Sequence, residues 1–278
     1  MTDIAEFNAA VQKYWEDPKT VSIIDKNLHE LEIELVERFL QPTDLLADFG
    51  CGDGEATVRY AKKVRTAVGI ERSATLRGKA EKARDAAGVR NLTFKPGDIL
   101  AEPTELNTYD AVVTQRLLIN LASWEEQRHG LINVHRMLKP GGRFLMIENT
   151  NDAFQAMNDL RHDVGLEPVP QHWHNRFFDH EQLESFLEGR FQLLRFQDFG
   201  LYYLLTRVYV QMFATFEGFG INAKKDPIFE HSDRAARVLY EKFADRLKFD
   251  GMRAFGPIQF WALRREGRDL DAEGQPVG

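Results

Sequence analysis

The sequence predicts an α/β protein: a mostly parallel sheet with helices on both faces. Three observations predict it. Short apolar runs alternate with longer stretches of helical periodicity from Leu45 to Ile147, and parallel neighbours need such crossovers. A glycine-rich turn, Asp48-Phe49-Gly50-Cys51-Gly52-Asp53-Gly54, leaves the first run and opens a helix. Two late strand-like runs, Phe191 to Phe196 and Ile258 to Leu263, can pair as the edge of the same sheet.

The elements read in order as follows. Thr2 to Glu16 is a short helix, and a second runs from Thr20 to Leu40 with Ile24, Leu28, Leu31, Ile33 and Leu35 near helical spacing, stopped by Pro42. Leu45 to Phe49 is a strand, and Glu55 to Val64 the helix after the glycine turn. Ala67 to Ile70 is the second strand, after which Ser73 caps a helix reaching Ala87. Leu92 to Phe94 and Ala111 to Thr114 are strands three and four. The helix from Trp124 to Leu138 ends at Lys139-Pro140-Gly141-Gly142, and Phe144 to Ile147 is the fifth strand. Asp179 with Gln182 resembles a capping box, and Gly189 ends that helix. The expected organisation is an N-terminal helical lid (1–41), a core (42–198 and 257–266), an inserted cap (199–256) and a flexible tail (267–278).

Composition narrows the function. The formal net charge is −7, which disfavours wholesale contact with a phosphate backbone, so no nucleic-acid partner is expected. Cys51 is the one cysteine, so no internal disulfide or multi-thiolate metal site can form, and no metal is expected. Met1 to Glu6 lacks a secretion signal, and the greasiest stretch, Phe199 to Phe219, is interrupted by Thr206, Arg207, Gln211 and Glu217. No membrane partner and a cytoplasmic location are the expectation.

The glycine turn brings backbone close to a ligand without Cβ clashes, beyond the carboxyl end of a strand, where open parallel sheets bind ligands. The dinucleotide fingerprint needs a glycine where this chain has Glu55, a carboxylate unfavourable beside a diphosphate. Glu71, at the end of the second strand, can accept from ribose hydroxyls. Asp98, closing the third, can accept from an adenine amino group, with Ile99 and Leu100 flanking the base.

From Asp44 to Glu148 the sequence resembles the class I S-adenosylmethionine-dependent methyltransferases. The glycine turn, Glu71, Gly97-Asp98-Ile99, Tyr109-Asp110-Ala111-Val112-Val113 and Arg136-Met137-Leu138-Lys139-Pro140-Gly141-Gly142-Arg143 carry the resemblance. It implies a Rossmann-like seven-stranded sheet of order 3-2-1-4-5-7-6, its last strand antiparallel, with S-adenosyl-L-methionine as cofactor and S-adenosyl-L-homocysteine as product. It implies that Asp48, Gly50, Cys51 and Gly52 border the methionine part, Glu71 and Arg72 the ribose, Asp98 and Ile99 the adenine, and Thr114 and Gln115 the ammonium; Tyr14, with Trp15, folds a lid over the methionine. The fourth strand ends in Thr114-Gln115-Arg116 rather than in the Asn-Pro-Pro-aromatic run of enzymes that methylate amide or adenine nitrogens.

For the acceptor, Arg116, Asn149, Arg161, Tyr203 and Arg207 are candidate binding residues, and His174 and Glu148 candidate bases. The pattern from Glu148-Asn149 through Asn158-Asp159-Leu160-Arg161, Trp173-His174-Asn175 and Tyr202-Tyr203 resembles bacterial methyltransferases of polysaccharide or specialised metabolism. The three arginines favour a small polar, anionic acceptor such as a sugar derivative, methylated on oxygen or nitrogen. The alternatives are a catalytically silent S-adenosylmethionine-binding partner, a nicotinamide-dependent oxidoreductase and an RNA methyltransferase. A homodimer through the insertion is a further expectation.

Overall fold

The computed structural model describes residues 3–21, 23–216, 227–243 and 254–277. Seven strands form one sheet of order β3-β2-β1-β4-β5-β7-β6. These are β1 (Leu45–Phe49), β2 (Thr66–Ile70), β3 (Leu92–Lys95), β4 (Tyr109–Gln115), β5 (Leu138–Asn149), β6 (Phe191–Asp198) and β7 (Ile258–Arg265). The pairs β1–β2, β1–β4, β2–β3 and β4–β5 are parallel. Strand β7 runs antiparallel to both β5 and β6, so the late pair is the sheet edge that the sequence implied.

Two-residue alternation along the strands divides the core. Ala111, Val113, Leu145, Ile147 and Phe260 pack on one face with helices α2 (Lys26–Glu37), α3 (Glu55–Ala61), α6 (Asn151–Asp163), α8 (Gly200–Tyr203) and α10 (Pro227–Phe243). Val112, Phe144, Met146, Trp261 and Leu263 face α5 (Trp124–Met137) and α7 (His180–Leu187). Helix α4 (Ala74–Ala87) starts where Ser73 Oγ accepts from Leu76 N at 3.1 Å. Asp179 likewise caps α7 through Gln182 N.

Several boundaries differ from those read in the sequence. Helix α2 begins at Lys26 because Asp25 takes the N-cap position and accepts from Leu28 N, and it ends at Glu37, ahead of Pro42. Ile24 therefore lies outside it and is exposed. Strand β5 starts at Leu138, running through the Pro-Gly-Gly stretch, because Tyr109 pairs with Leu138 before the register shifts. Strand β3 ends at Lys95, so Asp98 sits in the loop beyond it. Residues 267–277, expected to fray, fold back on α5: Asp269 pairs with Arg265, and Gly274 lies against Ile132.

Helix α1 (Ile4–Glu16) runs over the carboxyl edge of the sheet. In the insertion, α8 continues through a π-helical turn (Leu204–Tyr209) into α9 (Val210–Phe216). The rest of the inserted stretch at 217–226 and 244–253, Glu217 included, lies outside the described residues, as does Thr2 at the expected start of α1. Among the described residues no helix is long and apolar enough to cross a membrane.

Gly54, at the N-cap of α3, adopts φ +79°, and a Cβ there would meet Ala80 Cβ at 2.7 Å and Phe94 at 2.9 Å. Both the backbone region and the space demand glycine. Gly54→Ala is expected to cost about 1–3 kcal/mol, read as a lower urea midpoint at unchanged slope.

Candidate active site

The carboxyl ends of β1, β2 and β4 open into a cavity of ≈ 280 Å³ roofed by α1 and the His172–Asn175 loop. Here the strand order reverses on either side of β1, the position where open parallel sheets bind ligands. The glycine turn forms its floor. Gly52 (φ +57°) has nothing within 4 Å of where a Cβ would stand. Its amide donates to Glu71 Oε2 at 3.0 Å, and Ser73 N donates to Glu71 Oε1 at 2.7 Å. One carboxylate thus ties the turn after β1 to the end of β2.

Asp48 lies beneath, accepting from Thr57 Oγ1 at 2.5 Å. Burial pushes its carboxyl up to about 7, Thr57 opposes the rise, and the nearby Glu71 charge adds to it. Burial also raises the Glu71 carboxyl, against the amide bonds that lower it. Among the described residues neither forms an ion pair within the protein. The Cys51 thiol is pushed up by burial and by both carboxylates, which favours the neutral thiol. Asp98 accepts from Leu100 N at 2.9 Å and from Arg72 Nη1 at 3.3 Å, with Ile99 and Leu100 beside it along the wall. Glu55, in contrast, leaves the cavity and pairs with Lys26 at 2.6 Å.

The roof is aromatic. Tyr14 lies 4.7 Å from the His174 ring, which stacks on His172 at 5.6 Å and meets Trp15 and Trp173 edge-on. Trp15 Nε1 donates to Asn120 Oδ1 at 3.0 Å, and its carbonyl accepts from Ser73 Oγ at 3.0 Å. Glu16 accepts from Ala74 N and Thr75 N at the start of α4. His174 is buried, which depresses its pKa to about 4 with help from His172, and its Nδ1 has no hydrogen-bond partner among the described residues.

Of the residues expected at the site, Tyr14, Asp48, Gly50, Cys51, Gly52, Glu71, Arg72, Asp98, Ile99, Gln115, Arg116 and His174 line this cavity. Thr114, Glu148, Asn149, Arg161, Tyr203 and Arg207 do not. Glu148 is fully buried, and its carboxylate accepts from Leu117 N, Leu118 N and Ile119 N at 3.0–3.3 Å. It braces the turn after β4 and does not line the cavity, and burial pushes its carboxyl up to about 7 against those amides. Arg161 spends its guanidinium on the carbonyls of Glu167 and Arg207 and on Gln211 Oε1. Arg207 pairs with Asp25 and Asp233, clamping the π-helical turn to the start of α2. Tyr203 is buried beneath Gly256, and the Asn149 backbone is used by Phe178.

The sequence reading missed His29 and Glu32. Both are buried on α2, one turn apart, and His29 lines the cavity. Glu32 accepts from Arg116 Nη1 and Gln115 Nε2, each at 2.5 Å, and lies 3.3 Å from His29 Nδ1. Its carboxyl is held low: burial raises it, but Arg116, His29 and Gln115 together win. Arg116 occupies φ +53°, unusual for a non-glycine residue. The signal was present as two ionisable residues on a helix face otherwise carrying Ile33 and Val36. Among the described residues no group of three or more His, Cys, Asp or Glu side chains is placed to hold a metal.

Residues 46–142 match the family model described as a methyltransferase domain. An uncharacterised methyltransferase of Schizosaccharomyces pombe is 33% identical over 113 residues, 38% of this chain and 40% of its own length. A probable methyltransferase of Aspergillus luteorubrus is 33% identical over 135 residues, 45% of this chain and 46% of its own. The chain thus spans under half the length of these curated relatives. The solved structure of a geranyl diphosphate methyltransferase in complex with GPP and sinefungin superposes with TM-score 0.58 at 14% identity, over 94% of this chain and 100% of that one, a likeness of fold. Over residues 46–142 this chain is therefore similar to methyltransferase domains.

If Glu148 is a brace, Glu148→Ala strands three amides in the core. It is expected to lower stability by about 2–4 kcal/mol in urea unfolding while changing S-adenosylhomocysteine affinity less than about threefold; a stable protein that has lost turnover would restore the catalytic assignment.

Proposed function

We propose that this protein is a methyltransferase that takes S-adenosylmethionine into the cavity over the glycine turn and methylates a small acceptor at the His29–Arg116 end. The observation that carries the reading is the convergence of Asp48, Glu71 and Asp98 on one cavity in which Asp48 and Glu71 have no ion-pair partner among the described residues. The fit is chemical. Open space at Gly52 admits a ligand against the backbone, buried carboxylates suit a cationic amino-acid moiety, and Asp98 with Ile99 and Leu100 suits a purine. Glu71 would hold ribose hydroxyls, and Asp48 and the glycine turn the methionine part. When bound, S-adenosylmethionine supplies an activated methyl group on a sulfonium.

The chain's own contribution is to bind, align and exclude water. Tyr14, Trp15 and His174 cover the cavity, and Trp15 is fastened at both sides of the cleft through Asn120 and Ser73. The reason for an anionic acceptor has weakened. Arg161 and Arg207 are committed elsewhere, and Arg116, which lines the cavity, is neutralised by Glu32. The rim instead carries Val21, 64% exposed, and Ile24, 70% exposed, with Ile23 and Leu117 inside. Such a rim favours an acceptor with an apolar skeleton.

Two measurements test the cofactor site. Glu71→Ala is expected to weaken S-adenosylhomocysteine binding by about 1–3 kcal/mol, roughly 5- to 150-fold, in calorimetry; unchanged affinity removes its role. The second is pH dependence. Since burial raises the Asp48 carboxyl to about 7, a cationic ligand must displace its proton below that pH. Affinity for S-adenosylmethionine should therefore fall as pH drops from 8 through 7 toward 6, with proton release on binding, and Asp48→Asn should flatten the dependence.

A further inference from the structure

We propose that His29, oriented by Glu32, is the general base of the acceptor site, and that the acceptor is a small hydroxylated compound with an apolar ring skeleton. This rests on the methyltransferase reading above. His29 is 3% exposed, yet it borders the cavity beside Arg116, Leu117, Ile23 and Ile24. Its Nδ1 faces Glu32 Oε2 at 3.3 Å. Among the described residues Nε2 has no hydrogen-bond partner.

Glu32 is the anchor. It is fully buried, and Arg116 at 2.5 Å keeps it ionised. A buried carboxylate gathers every donor in reach, and hydrogen bonds to an ionised oxygen exceed neutral ones in strength. Gln115 Nε2 gives one hydrogen to Glu32 at 2.5 Å and lies 3.1 Å from His29 Nδ1. Between accepting from that neutral amide and donating to the carboxylate, the charge-assisted bond sets the tautomer: Nδ1 carries hydrogen and Nε2 keeps its lone pair for the cavity.

His174 is less suitably placed. Its ring is enclosed among Tyr14, Trp15, His172 and Trp173, and burial with His172 depresses its pKa to about 4. It has no carboxylate to stabilise an imidazolium, whereas His29 has Glu32. The charged groups facing His29 are Glu32 on its own helix, Arg116 beyond β4, and Asp48 and Glu71 across the cavity; Asp25 and Arg207, at the start of α2, neutralise each other.

The step balances as follows. The acceptor's O–H proton passes to His29 Nε2, the oxygen's electron pair forms the new bond to the methyl carbon, and the carbon–sulfur pair remains on sulfur. The imidazolium, held against Glu32, then returns its proton to water. The apolar rim and the prior commitment of Arg116 to Glu32 leave a ring-bearing alcohol or phenol, rather than an anion, as the matching acceptor class.

The full-length protein, labelled with ¹⁵N in its histidine rings, tests the dyad without turnover. Long-range ¹H–¹⁵N correlation should place the His29 hydrogen on Nδ1 near neutral pH. E32Q, which removes the charged acceptor, should move the His29 hydrogen off Nδ1. An Nε2–H tautomer in the native protein, or a tautomer insensitive to E32Q, overturns the dyad. Activity is read with S-adenosylmethionine and a set of naphthols as probes. H29Q should lose about 100-fold or more in turnover while binding S-adenosylhomocysteine within about twofold of the native affinity; undiminished turnover overturns the base. Should E32Q fail to fold, the native tautomer and H29Q decide. Absence of methyl transfer to every naphthol overturns the acceptor class. Failure of the native protein to bind S-adenosylhomocysteine overturns the methyltransferase reading itself, with the dyad still judged by its tautomer.

Discussion

Burying carboxylates is expensive, and the way this protein offsets that cost organises its site. Four acidic side chains, Glu32, Asp48, Glu71 and Glu148, are buried around the carboxyl edge of the sheet. Two are satisfied from within: Glu148 by three consecutive amides, and Glu32 by Arg116 and Gln115. The other two are held by a hydroxyl and by amides, with no ion pair among the described residues, and burial raises both carboxyls. Burial raises the Glu148 carboxyl to about 7 as well, so position is what separates these acids: Asp48 and Glu71 line the cavity, whereas Glu32 and Glu148 do not.

Much of this was legible in sequence because the signals were local. The run Leu45–Phe49, the turn through Gly54, and Ser73 as a cap followed by a helix to Ala87 are written in contiguous residues, and the structure keeps those limits. The late strand pair was legible too, since alternation and turn chemistry do not depend on the intervening sixty or so residues. What failed was partner choice over long separations. Arg161 and Arg207 looked free only because the carbonyls and carboxylates that use them, from Glu167, Asp25 and Asp233, are settled by tertiary packing. An arginine's chemistry can be read from its type, but its availability cannot. His29 and Glu32 were overlooked for the opposite reason: helical periodicity directs attention to the apolar positions and passes over the polar ones between them.

Arg116 shows how one residue joins these levels. Strand β4 ends at Gln115, and the chain must turn at once for Leu117–Ile119 to present three amides to Glu148. The left-handed backbone at Arg116 makes that turn, and its carbonyl is held by Asn120 Nδ2 at 2.7 Å. The strain is retained because the guanidinium simultaneously neutralises Glu32. The brace at Glu148 and the anchor at Glu32 therefore bear on the same residue from opposite sides of the sheet edge, and a change at either is transmitted to the cavity wall.

The segment preceding the core covers part of that cavity. Helix α1 buries Phe7 and Val11 but leaves most of its surface exposed, so its apolar hold on the core is slight, and its carboxyl end is fixed by polar contacts. Trp15 reaches Asn120, Ser73 reaches the Trp15 carbonyl, and Glu16 caps α4. Elements with few buried apolar contacts open at lower free energy than the core they cover, and each contact here can be exchanged for water. Helix α2 lies deeper: seven of its residues are buried, and Asp25 at its start is bound to Arg207 of the inserted segment. A roof that lifts at α1 while α2 stays in place would admit cofactor and acceptor without disturbing His29 and Glu32. The aromatic contacts thus gather on α1 and the charged ones on α2.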